Sequence, residues 1–440
     1  MVTREWNKVN PTNPLTSARP EDISWVKENT AILIVHGIGD QRPLETLDMF
    51  ARGLVKQYKA AFPQKVKLSH EIVTKPTDRS TPWFDNAVRI KLTSSDFHID
   101  IFEYYWANYT QDKAEWNDLN IWLQGVVKGA GKFYEKNKAL GVNYSDESSF
   151  FTKGGKFRKA RYNFFIHLVS KTFILVNLIT TGLLKIVSFI PVVGELATTL
   201  LKSFFKSGLH KFTNVIGDIV VYNVTDPKSK FYEVRRCILD GAVHSLKFLI
   251  ERETNCRLDY PSVIVAGHSL GTQIAYDAIN KLDLLVNKNE IKNYRSDGSH
   301  HATNISISNQ LKGFISFGSP LDKIAFFLRE MVPDEKYLRQ QLLDNYHGFK
   351  QRNWSLNTSA QNGFTKLPQP IARLFEDMKW RNYFDKHDYV SGSLDYYMNL
   401  ENLDCNFKSG LLGFTHSYYW QHDLFYQDLI IQFLSDNQKN

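Results

Sequence analysis

The chain has 440 residues, 43% of them hydrophobic and 23% charged, the balance of a globular protein with a large core, which excludes a disordered or fibrous chain. Its net charge of +8 favours an anionic partner, yet no zinc-finger spacing, RNP pattern or basic run with interleaved aromatics is present, so nucleic acid is set aside and an anionic membrane surface is the expected partner. Three cysteines, Cys237, Cys256 and Cys405, form no CxxC pair, and the polar start Met1-Val2-Thr3-Arg4-Glu5-Trp6-Asn7 lacks the apolar stretch of a secretory signal, so a reducing, cytoplasmic location is expected.

Residues 1–29 are polar and carry prolines, the composition of a loosely attached lead-in segment. Ala31-Ile32-Leu33-Ile34-Val35 follows as a continuous apolar run, which predicts a strand covered on both faces. It ends in His36-Gly37-Ile38-Gly39-Asp40-Gln41, whose spacing matches neither phosphate-binding glycine pattern. Leu44 to Phe62 reads as an amphipathic helix with Leu47, Phe50, Leu54 and Tyr58 on one face, and 66–73, 87–92 and 98–105 read as strands.

From 107 to 215 the character changes, and this stretch reads as a largely helical apolar insertion. Thr172 to Leu184 and Ile186 to Gly194 are uncharged runs, each shorter than the roughly 20 residues of a spanning helix, and Lys171, Lys185, Lys202 and Lys206 flank or interrupt them. A cap over the active site, an interfacial hairpin and a true span all fit this pattern. The core resumes at Asp218 to Tyr222, and a helix over 229–251 buries Phe231, Val234, Ile238, Ala242, Leu246 and Leu249.

Pro261-Ser262-Val263-Ile264-Val265-Ala266-Gly267-His268-Ser269-Leu270-Gly271-Thr272 is an apolar strand that breaks into Gly-x-Ser-x-Gly and then into a helical pattern, the context of a nucleophile elbow. The glycines at 267 and 271 supply the space that the sharp turn needs. Further strands are expected over 311–317, ending in Gly318-Ser319-Pro320, and over 379–384, and a terminal helix over Ser417 to Leu434.

A serine hydroxyl needs an imidazole as base, itself oriented by a carboxylate, and on an elbow these follow in the order serine, acid, histidine. Of the six downstream histidines, His300, His301 and His347 lie in polar or mixed stretches, His387 in the loop with Asp385 and Asp388, and His422 inside the terminal helix; His416, in a loop just before that helix, is the candidate base. Asp388, after the 379–384 strand, is the candidate acid; Asp385 and Asp322 are its rivals, Asp322 also suiting the N-cap of a helix from Lys323. The amides of Leu270 and Ile38 are the candidate oxyanion donors.

The blocks Val35 to Gln41, Gly267 to Thr272, Phe317 to Asp322, Trp380-Arg381-Asn382 with Asp388, and His416 to Trp420 together resemble the lipase-like branch of the α/β-hydrolase superfamily. The resemblance covers residues 30–425 except the insertion. It implies a mostly parallel sheet flanked by helices, formed by 30–106 and 216–440, and a histidine-glycine turn in the oxyanion hole. It also implies an acid in an Asp-x-Val loop, here Asp388-Tyr389-Val390, with tyrosine where proline is usual. The expected activity is cleavage of lipid-like carboxylic esters through an acyl-serine, with no metal or organic cofactor. Protein deacylation, thioester cleavage or acyl transfer by the same triad, and a non-catalytic membrane-binding module, are the alternatives. Headgroup, chain length and oligomeric state have no signature in the sequence.

Overall fold

The computed structural model describes residues 10–38, 42–72, 86–110, 131, 152, 156–164, 222–223, 229–255, 257–287, 290–291, 307, 309–327, 374–388, 390–394, 397, 399–407 and 415–435. In chain order the strands are β1 (Thr12–Pro14), β2 (Thr30–Val35), β3 (Val66–Ile72), β4 (Asn86–Leu92), β5 (His98–Tyr104), the short hairpin β6 (Glu253–Thr254) and β7 (Arg257–Leu258), β8 (Ser262–His268), β9 (Leu311–Phe317), β10 (Lys379–Phe384) and β11 (Leu400–Asp404). Nine of them form one sheet in the order β1-β11-β10-β9-β8-β2-β5-β4-β3. From β1 to β5 every neighbouring pair is parallel, and β4 and β3 close that side as an antiparallel pair.

The continuous apolar runs have the cause expected of them. In β2, Ala31, Leu33 and Val35 enter one core, and Ile32 and Ile34 enter the other; in β8, Val263 and Val265 oppose Ile264 and Ala266 in the same way. After the short α2 (Ala107–Thr110), helices α3 (Tyr232–Glu251) and α4 (Leu270–Asn287) cover the first face through Ile238, Leu246, Ile274 and Ile279. Helix α1 (Glu45–Ala61) covers the second through Leu47, Phe50, Leu54 and Tyr58, together with Phe425 and Tyr426 from the carboxyl end. Each fully buried aliphatic side chain contributes roughly 1.5–3 kcal/mol.

Several expectations need correction. Residues 10–29 are not a loose lead-in: β1 extends the sheet, Asn10 donates to the carbonyls of Leu394 and Tyr397, and Ile23, Trp25 and Val26 are buried. The carboxyl-terminal segment is not one helix from Ser417. It begins as a 3-10 turn over Thr415–Gln421, continues as an α-helix over Asp423–Leu429 and ends in a π-turn over Ile430–Leu434. The helix after β9 starts at Leu321 rather than Lys323, so Asp322 lies inside its first turn, and the Ser319 hydroxyl accepts the Leu321 amide.

Asp218 to Val221 lie outside the described residues, and Tyr222 is buried in a helical conformation. Most of 107–215 also lies outside them, including the apolar tract 172–206. Among the described residues no helix is long and apolar enough to cross a membrane.

Candidate active site

Four adjacent parallel strands bring the predicted residues to one edge. β2 ends in His36-Gly37, β8 in Ser269, β9 in Gly318 and β10 in the loop that carries Asp385 and Asp388. The carboxyl edge of a parallel sheet is where such folds place ligands.

Ser269 has φ of +53°, a left-handed conformation that costs a side-chain-bearing residue of order 1 kcal/mol or more. The turn is held by its neighbours: the Ser269 amide donates to Phe317 at 3.1 Å, and its carbonyl accepts the Thr272 hydroxyl at 2.6 Å and the Thr272 amide at 3.0 Å. A Cβ at Gly267 would lie 2.7 Å from Thr272 Cα, and one at Gly271 would overlap the carbonyl oxygens of Val35 and His36. The elbow therefore sits directly against the turn after β2.

That turn is built around His36, which is fully buried. Its Nε2 accepts the Trp106 amide at 2.9 Å, so the ring proton is on Nδ1, which donates to the Gly37 carbonyl at 2.7 Å. The Trp106 indole donates to the His36 carbonyl at 2.9 Å, and the two rings stack with centroids 4.9 Å apart. Burial, only partly offset by the Gly37 bond, lowers the His36 pKa to about 4, so the ring stays neutral at physiological pH. Ile38 follows, half-buried, and Leu270 opens α4. Amides in a first helical turn have no acceptor within the helix and sit at its positive end, which suits Leu270 to an oxyanion.

His416 Nδ1 lies 2.9 Å from Asp388 Oδ2. Burial acts to raise the Asp388 pKa, but the His416 bond and charge, the Val390 amide on Oδ1 and the Ser391 hydroxyl outweigh it and hold the carboxylate well below its ordinary range. Asp388 Oδ2 also accepts the hydroxyl of Tyr419 at 3.1 Å. His416 and Tyr419 are three residues apart on a 3-10 turn, where positions i and i+3 eclipse, so both side chains reach one carboxylate.

His268 is buried between Phe317, Trp420 and His416, and its Nε2 donates to the His416 carbonyl at 3.3 Å. Burial, then the neighbouring His416, push its pKa down to about 3, so it acts as a neutral support. Ser269 Oγ and His416 Nε2 are both buried and neither has a hydrogen-bond partner.

The rival acids take other roles. Asp385 accepts the His387 amide at 2.8 Å and the Phe407 amide at 2.6 Å, fixing the loop on which Asp388 rides. Asp322 lies in the helix after β9 and is not among the groups bonded to His416. His387 is exposed and pairs with Asp385, His422 packs against Phe407, and His300, His301 and His347 lie outside the described residues.

Sequence reasoning missed Trp106, Tyr419 and the buried pair Asn382 and Asn402, bonded at 2.9 Å, which ties β10 to β11 beneath the acid loop. The aromatic clusters at 104–106 and 418–420 were visible, but not their polar partners. Among the described residues no three His, Cys, Asp or Glu side chains gather as metal ligands would. Comparison with protein-family models, curated proteins and solved structures finds no match for this chain.

Proposed function

We propose that this chain is a serine hydrolase of the lipase-like α/β-hydrolase type that cleaves carboxylic esters of apolar acyl chains through an acyl-Ser269 intermediate. The observation that carries the reading is that two buried atoms without partners, Ser269 Oγ and His416 Nε2, belong to the same cluster at the carboxyl edge of the sheet, where His268 touches His416 and Asp388 holds His416 Nδ1. Catalytic bonds of this kind are often open until substrate arrives.

In the first step Oγ attacks the ester carbonyl carbon and its proton passes to His416 Nε2. The carbonyl oxygen takes the negative charge and is held by the amides of Ile38 and Leu270. The carbon–oxygen bond to the alcohol then breaks, and His416 returns the proton to that oxygen. Water repeats the sequence on the acyl-serine: it gives a proton to His416, the acid leaves, and Ser269 recovers its proton. Asp388 keeps the imidazole in the Nδ1–H tautomer and balances the charge that forms on it.

The apolar character of the acyl group is supported by the 14% aromatic content and the apolar tract beginning at Thr172, and the net charge of +8 suits an anionic membrane surface. The test uses p-nitrophenyl esters of increasing chain length and a fluorophosphonate label. Wild type is expected to be labelled and to prefer the longer esters, and Ser269→Ala to lose both labelling and turnover. Turnover that survives in Ser269→Ala sinks the mechanism.

A further inference from the structure

Among the described residues the sheet ends differently on its two sides. The β1 edge is three residues long and finishes in Pro14, which has no amide for a further strand. The β3 edge is seven residues, Val66-Lys67-Leu68-Ser69-His70-Glu71-Ile72, with no proline or glycine. On the face that β3 shares with Val66, Leu68 is 55% exposed and Ile72 is 72% exposed.

The segment also complements itself. Two antiparallel copies centred on Ser69 set Val66 against Ile72, Lys67 against Glu71 and Leu68 against His70. Within the chain Lys67 stands opposite Lys91 of β4, a like-charge pair that weakens a sheet. A Glu71 arriving from a second copy would sit on the other side of Lys67 and answer that charge.

We propose that two copies of this chain join through β3, pairing antiparallel about Ser69 so that the two sheets become one. The occupant of the edge is a second copy because the register sets Val66 against Ile72 and Lys67 against Glu71 at once, and it continues the antiparallel run β5-β4-β3. This inference is independent of the hydrolase reading.

The experiment is sedimentation velocity on the full chain across a concentration series, with far-UV circular dichroism to follow the fold. Wild type is expected to form a reversible dimer. Lys67→Glu places two carboxylates opposite each other twice in the interface and is expected to weaken the dimer at least about tenfold, the equivalent of ~1.4 kcal/mol. In the isolated chain the same substitution removes the repulsion with Lys91, so the fold itself is expected to hold. Glu71 also faces Arg89 at 3.6 Å within its own chain, so Glu71→Lys is read only beside the swap Lys67→Glu/Glu71→Lys, which is expected to recover the dimer. A chain that stays monomeric throughout, a dimer indifferent to Lys67→Glu, or a swap that fails to recover association overturns the proposal.

Discussion

A methyl group placed on Gly37 would lie 2.7 Å from the Cβ of Ser269. The turn after β2 and Ser269 are thus in van der Waals contact, and a side chain at 37 must push them apart. Gly37→Ala is expected to keep the fold at a cost of about 1–3 kcal/mol and to lower kcat on the order of a hundredfold or more, the size of a lost oxyanion donor. Thermal melts beside ester kinetics check it; unchanged kcat would mean that the turn does not serve the oxyanion.

Two aspartates three residues apart should separate cleanly by role. Asp388→Asn is expected to lower kcat on the order of a thousandfold or more by destabilising the required tautomer. Asp385→Asn is expected to weaken the fold by about 1–3 kcal/mol, since the Phe407 and His387 amides lose their carboxylate, with a far smaller effect on kcat. Because the Asp388 pKa is lower in the folded chain than in the unfolded one, its stabilisation is present above the ordinary carboxylate range and is lost as acid protonates it. Denaturation followed from neutral pH downward measures both effects.

Tyr419 shares Asp388 Oδ2 with His416. Tyr419→Phe removes one donor from that oxygen and leaves the remaining one more strongly held. The expected result is a kcat lowered several-fold, with stability reduced by about 1 kcal/mol. An unchanged kcat beside the lowered stability would assign the hydroxyl a packing role only.

Glu103 is fully buried on β5, beneath the start of α1, facing the Leu44 and Leu47 backbone and the Thr46 hydroxyl. Burial raises its pKa from 4.5 to about 7, against the weaker hydrogen-bonding pull of those three groups. A raised carboxyl favours the folded chain while protonated, so stability falls as pH rises from 4.5 to 7 and stays reduced above. Glu103→Gln is therefore expected to be more stable than wild type above pH 7, by at most about 3 kcal/mol, and indistinguishable below about pH 4.5. Urea midpoints at pH 4 and pH 8 decide it.

The elements legible in the sequence were those with a strong local signature. β2 and β8 are unbroken apolar runs because both faces are covered, and α1 shows its stripe of Leu47, Phe50, Leu54 and Tyr58. The elbow announced itself through Gly267 and Gly271, where backbone passes too close for a side chain. β11 did not, because its central inward position is Asn402, a buried amide whose partners Asn382 and Leu394 lie elsewhere in the chain. His36 and Trp106 are 70 residues apart, and Asp388 and Tyr419 are 31 apart, so no local pattern joins them. The break between the Thr415–Gln421 turn and the following helix escaped notice because the apolar spacing runs on through it.

The pairing of β1 with β11 also dictates an order of assembly. Asn10 meets Leu394 across 384 positions of sequence. At ordinary synthesis rates the first strand waits roughly 20 to 80 s on the ribosome for its neighbour. Ser269 likewise emerges long before Asp388 and His416. A nascent or truncated chain therefore carries Ser269 without Asp388 and His416, and the proposed activity waits for the segment that brings them.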